Sequence, residues 1–142
     1  MSAVKRRDTE AELTLRRQLW RAGLRYLLHD ARLPGTPDVV LVRARVALFV
    51  DGDFWHGRML QEKGLKALRS SFRPGSRAFW VGKIRRNVER DRCQTLALRM
   101  AKWKVIRIWE RDILRSPERT ALRVIQLVRS RLQRIDAKVR DA

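Results

Sequence analysis

Apolar residues recur along the chain with two periods, and the switches between them outline the elements. Ala11, Leu15, Leu19 and Ala22 share one helical stripe; the opening Asp8-Thr9-Glu10-Ala11-Glu12 carries capping-box spacing at Thr9 and Glu12, and Gly23 ends the stripe. Leu24 to Leu28 reads as a short strand. After turn chemistry at Leu33-Pro34-Gly35-Thr36-Pro37, two β-branched runs follow, Asp38 to Val42 and Val46 to Val50. Arg43-Ala44-Arg45 between them predicts a hairpin with Asp38 opposite Val50, a register shifted by one residue being the alternative. From Ser76 to about Ala101 the pattern is helical, with Trp80, Ile84 and Val88 toward the interior. Lys104 to Trp109 is a strand, and Ser116-Pro117 supplies an N-cap and a first-turn proline for a last helix to about Ile135. Gly57 to Gly75 reads as a basic loop or a broken helix. Trp20, Trp80, Trp103 and Trp109 lie on periodic elements and are expected in the core.

This mixture, without repeat or linker, predicts one α/β domain over residues 1–142, and 44% apolar content is enough to build its core. With 7 Gly, 4 Pro and one Cys, collagen-like and disulfide-scaffold classes are excluded. No apolar run approaches the roughly 18 residues of a membrane span, so no membrane partner is expected. The first residues lack the apolar region of a signal peptide and Cys93 is alone, which points to a cytoplasmic setting.

Charge changes the picture more. The 34 Lys and Arg against 15 Asp and Glu leave a formal charge of +19, the footprint of a protein that neutralises phosphates. Between Glu62 and Glu89 no acid occurs, while Lys63, Lys66, Arg69, Arg73, Arg77, Lys83, Arg85 and Arg86 crowd together. Charge by itself fits a nucleic-acid coat as well as an enzyme.

In so basic a chain the few acids are informative. Asp38 opens one hairpin strand and Asp51 and Asp53 follow the other, so Asp38 and Asp51 converge at one end of the ladder. Carboxylates gathered at a strand end suit Mg2+ or Mn2+ bridging to a substrate phosphate. The plain alternative is that Asp38 caps a turn and Asp51-Gly52 is a tight turn. His56, past Phe54-Trp55, is close enough to share the site and to exchange protons near neutral pH; the alternative is a hydrogen-bonded structural histidine, the reading given to His29. Trp55, between an acidic turn and a basic stretch, reads equally as core or as a contact residue.

Asp51-Gly-Asp-Phe-Trp-His-Gly57, preceded by Leu33-Pro-Gly-Thr-Pro-Asp38, resembles the very-short-patch-repair (Vsr) endonuclease family. Lys83-Ile-Arg-Arg-Asn-Val-Glu-Arg-Asp91, Trp103-Lys-Val-Ile-Arg-Ile-Trp-Glu110 and Asp8-Thr9 with Glu12 extend the likeness from Met1 to about Leu114. The resemblance implies an α/β, restriction-endonuclease-like core of the PD-(D/E)XK type, a mixed β-sheet flanked by helices over about 8–114, with the helix of about 117–135 outside it. It further implies Mg2+-dependent (or Mn2+-dependent) nicking of duplex DNA at T:G mismatches; a related nuclease without mismatch preference and a non-catalytic basic DNA-binding module are the alternatives. By the same resemblance Asp38 is the central metal ligand, Val50 offers its backbone carbonyl, and Glu12 reaches the metal through water. Asp51 stands where some members carry histidine, His56 matches the proton-transfer residue, and Met1, Phe54 and Trp55 match a wedge in the base stack. Lys83, Arg86, Asn87 and Arg90 are the expected DNA contacts on the long helix.

One departure matters. The structural zinc of some members has cysteines and a histidine where this chain has Asp53, Arg58 and Arg111, so no structural zinc is expected.

Overall fold

The computed structural model describes residues 7–142. Helix α1, Glu10–Arg21, buries Ala11, Leu15 and Leu19, and Thr9 is its N-cap, accepting the Glu12 N–H at Oγ1 over 3.2 Å. Only half of the capping box forms, because the Glu12 carboxylate accepts from the Asp8 N–H at 3.2 Å instead of from Thr9.

Four strands, β1 (Leu27–Leu28), β2 (Val39–Leu41), β3 (Val46–Asp51) and β4 (Lys104–Trp109), lie in that order in one mixed sheet. β1, β2 and β3 are antiparallel neighbours; β3 and β4 are parallel. The expected strand from Leu24 contracts to two exposed residues. The hairpin register slips by one from the prediction: Val39 faces Leu48 and Leu41 faces Val46. The cause is a longer turn, from Val42 to Arg45, closed by the Arg45 N–H to the Val42 carbonyl at 3.1 Å with Arg45 at φ +52.

The parallel crossover from β3 to β4 runs through α2 (Arg58–Lys63), α3 (Leu65–Ser70) and α4 (Pro74–Met100). The segment from Gly57 to Gly75 is thus the broken helix, interrupted at Gly64, whose φ of +89 suits glycine. α4 turns Val81, Ile84, Asn87 and Leu98 inward, whereas Trp80 and Val88 are only half-buried. After β4 come α5 (Glu110–Arg115), unforeseen because it follows the strand with no intervening turn signal, and α6 (Pro117–Asp141). α6 continues well past Ile135, and the Ser116 hydroxyl makes no cap hydrogen bond; the Ser116 backbone carbonyl accepts from Thr120 instead, at 3.0 Å.

The alternation of β3 separates two apolar layers. Val46, Leu48 and Val50 pack with α1, α5 and α6 through Leu15, Leu19, Ile113, Val124 and Val128; Ala47 and Phe49 pack with Leu98 of α4. The tryptophans are not core. Trp20 is 51% exposed beneath the Arg25 guanidinium, and Trp80, Trp103 and Trp109 are half-buried.

Candidate active site

Two clusters of ionisable side chains meet the end of the sheet where β2 begins and β3 ends. In the first, Asp38 is fully buried and its Oδ2 accepts the Val50 N–H at 2.7 Å, so the expected Asp38–Val50 contact is made by a side chain rather than by strand register. The His29 N–H donates to the Asp38 carbonyl at 3.2 Å. The His29 ring, 10% exposed, presents Nδ1 to Asp38 Oδ1 at 3.7 Å and Nε2 to Glu12 Oε2 and Asp8 Oδ1, each at 3.5 Å. Neither ring nitrogen makes a hydrogen bond, so His29 is not the hydrogen-bonded structural residue expected of it. Glu12 itself is 2% exposed.

The second cluster surrounds His56. Its Nδ1 is hydrogen-bonded to Asp91 Oδ2 of α4 and lies 3.6 Å from Asp51 Oδ1. Arg107 of β4 donates through Nη1 to both Asp51 oxygens, at 3.1 and 3.0 Å, and through Nε to Thr95 Oγ1 at 2.8 Å. Burial pushes the Asp51 carboxyl upward, opposed by the charges of His56 and Arg107. Burial works against the His56 imidazolium, but the Asp91 hydrogen bond and the charges of Asp51 and Asp91 outweigh it, and the His56 pKa is raised. Asp38 and Asp51 share the end of the sheet, as expected, each with its own partners.

The loop between Asp51 and α2 is wound tightly. The His56, Gly57 and Arg58 N–H groups donate to the Gly52, Phe54 and Asp53 carbonyls at 3.0–3.2 Å. Gly57 has φ +68, and a Cβ there would lie 2.6 Å from Val88 Cγ2 and 2.9 Å from Ile84 Cγ2. Only glycine lets the chain pass this close to α4 and so bring His56 to Asp91. Asn87 Nδ2 donates to the Trp55 carbonyl at 3.1 Å, and Arg90 donates to Asn87 Oδ1 at 3.1 Å. Asn87 is buried, and its amide faces the loop.

Arg58 ties that loop to the rest of the fold. Its Nη1 donates to Asp53 Oδ2 at 2.8 Å and to Asp112 Oδ1 of α5 at 2.9 Å; its Nε donates to Glu62 at 3.0 Å. Asp53 Oδ1 accepts the Arg111 N–H at 3.1 Å. The positions named for the absent zinc ligands thus carry an ion-paired cross-link between the loop and α5.

Beside the loop, Phe54, Trp55, Phe72, Phe79 and Trp80 form one aromatic cluster with ring separations of 5.0–6.3 Å. Phe54 and Phe79 remain 46% and 60% exposed. Lys83 Nζ stands 5.1 Å over the Trp55 ring, and Arg86 and Arg90 are exposed on the same helix. Met1, the third expected wedge residue, lies outside the described residues.

Sequence reasoning assigned no site role to Asp91, Arg107 or Asp8, and to His29 only a structural one. Arg107 carried a signal, a charge between the apolar residues Ile106 and Ile108 in the middle of a strand, and Asp91 lies one turn beyond Asn87 on the same helical face.

A mixed sheet between helical layers, with buried carboxylates and an Asp-supported histidine at one strand end, defines a nuclease of the restriction-endonuclease-like class. A family model described as DNA mismatch endonuclease Vsr matches residues 1–62. The type II nicking enzyme V.NmeDIP of Neisseria meningitidis serogroup C is 36% identical over 131 residues, covering 92% of this chain and 84% of that protein. V.HpaIIP of Haemophilus parainfluenzae, also a type II nicking enzyme, is 34% identical over 133 residues, covering 94% and 90%. The DNA mismatch endonuclease Vsr of Escherichia coli K12 is 37% identical over 110 residues, covering 78% and 66%. The chain therefore belongs to the Vsr family and is a DNA endonuclease. No helix among the described residues is long and apolar enough to cross a membrane.

Proposed function

We propose that this endonuclease nicks one strand of duplex DNA at T:G mismatches in a Mg2+-dependent reaction. The observation that carries the reading is the junction of two devices in one seven-residue segment, Asp51 to Gly57. The exposed Phe54 ring, the half-buried Trp55 ring and a proton-transfer histidine are wound together there, beside the buried Asp38.

The donor set fits a hard dication. Asp38 and Glu12 are almost wholly buried acids in a chain of charge +19, and they face a histidine whose ring nitrogens have no hydrogen bond. Asp38 would hold the ion with the Val50 carbonyl, and Glu12 would order its water shell. When bound, the ion neutralises charge on the scissile phosphate and polarises it.

The chain's own residues supply the rest. Asp91 orients the His56 ring and raises its proton affinity, so that Nε2 can hold and pass a proton near neutral pH. Arg107 fixes Asp51 beneath it, and Asn87 fixes the Trp55 backbone. Phe54 and Trp55 enter the base stack; a T:G wobble pair unstacks more readily than a matched pair, which gives the wedge its preference. Lys63, Lys66, Arg69, Arg73 and the exposed face of α4 add sequence-independent affinity.

The test is a comparison of nicking rates on a T:G duplex and its T:A counterpart at physiological salt. Faster nicking of T:G is expected, with Trp55→Ala lowering the mismatched rate more than the matched one. Equal rates on both duplexes across salt concentrations would overturn the mismatch reading and leave a nicking enzyme of broader choice.

A further inference from the structure

His29 is buried, carries no hydrogen bond on either ring nitrogen and is used by none of the steps above. Nε2 points between Glu12 Oε2 and Asp8 Oδ1, 3.5 Å from each, and the three side chains offer ligand atoms within 4.8 Å of one another. The two carboxylate oxygens flank Nε2 at 3.5 Å without a well-formed hydrogen bond, and these spacings match the edge of a coordination polyhedron with bonds of about 2.1 Å. We propose that Asp8, Glu12 and His29 form a second divalent-metal site, next to the one centred on Asp38 and selective for transition-metal ions over Mg2+.

The chemistry of the three donors supports the selectivity. Two carboxylate oxygens with one imidazole nitrogen favour Mn2+ and its later first-row neighbours, because Mg2+ takes oxygen ligands and gives up water reluctantly. The other ring nitrogen completes the arrangement. Nδ1 faces Asp38 Oδ1 at 3.7 Å, the side from which metal-bound histidines are commonly oriented by a carboxylate. Asp8 is held by Arg16 Nη1 at 2.8 Å, and the Asp8 N–H donates to Glu12 Oε2 at 3.2 Å, so both acids stand ready before an ion arrives. His29 itself sits at φ +47, a left-handed conformation uncommon for a residue with a side chain, which turns its ring into the cluster.

The proposal shares Glu12 with the metal reading above but does not depend on catalysis. With two histidines in the chain, nitrogen bound to a paramagnetic ion can be assigned by substitution. Mn2+ is added to the DNA-free protein and electron spin-echo modulation from 14N is recorded, alongside Mn2+ affinity by titration. The site predicts 14N modulation in the wild type and in His56→Ala, and its loss in His29→Gln together with at least a tenfold fall in affinity at one site. Asp8→Asn, at an exposed position that leaves the core untouched, should weaken the same site with an unchanged thermal transition. Modulation absent from the wild type, or persisting in His29→Gln, would overturn the proposal. Nicking by the wild type, assayed separately, tests the endonuclease reading whatever the spectrum shows.

Discussion

Replacing Arg58 with methionine tests what the ion-paired cross-link contributes, because the methionine keeps apolar cover near the Trp109 ring, 5.5 Å from the guanidinium carbon, and removes the charge together with its N–H donors. The three arms differ in exposure. Asp53 is 18% exposed and Arg58 26%, so this charge-assisted bond contributes about 1–1.5 kcal/mol. Asp112 and Glu62, at 41% and 49%, lie where solvent screening leaves about 0.3–0.5 kcal/mol each. The total is about 2 kcal/mol, and for a chain of this size it corresponds to a fall of roughly 5–10 °C in melting temperature. Circular dichroism melts at low and high salt measure it, and the gap between Arg58→Met and wild type should narrow at high salt as the ion pairs are screened. Single-turnover nicking should fall by more than stability alone accounts for, since the released segment carries Trp55 and His56. A variant that melts with the wild type at low salt and nicks at the same rate would refute the cross-link.

The His56 ring, followed by NMR in metal-free protein, should titrate above its ordinary value of about 6.5, and Asp91→Asn should bring it down. Because the folded-state pKa is raised, the imidazolium contributes stability that is complete below about pH 6.5 and lost as pH rises through the folded value. The stability difference between wild type and His56→Gln should therefore shrink toward alkaline pH. Gly57→Ala should cost about 2–4 kcal/mol in thermal melts, from left-handed strain plus overlap with Val88 and Ile84, and should depress nicking by displacing His56 from Asp91.

The elements whose pattern is local were legible in the sequence. The stripe of α1 and the body of α4 follow from helical periodicity, and β3 and β4 from short apolar, β-branched runs, β3 being buried on both faces. The hairpin register was not: a turn one residue longer moves every pairing, and nothing in Val42-Arg-Ala-Arg45 announces φ +52 at Arg45. The tryptophans misled because a large ring on a periodic element can cover the core's edge without entering it. At the site, the gathering of Asp38, Asp51 and His56 could be anticipated from chain proximity. Their partners Asp91 and Arg107 come from 35 and 56 residues away, brought in by the crossover through α4, and pairing over that distance leaves no local trace. His29 was misjudged for the same reason, since its carboxylate neighbours are Glu12 on α1, Asp8 just before α1 and Asp38 just before β2.

Asp38→Asn tests the central assignment most directly. Single-turnover nicking of a T:G duplex with and without Mg2+ would be measured alongside DNA affinity for the variant and the wild type. The account predicts loss of Mg2+-dependent nicking with affinity equal or higher, because one negative charge beside the phosphate is removed. Nicking by Asp38→Asn at the wild-type rate would contradict it.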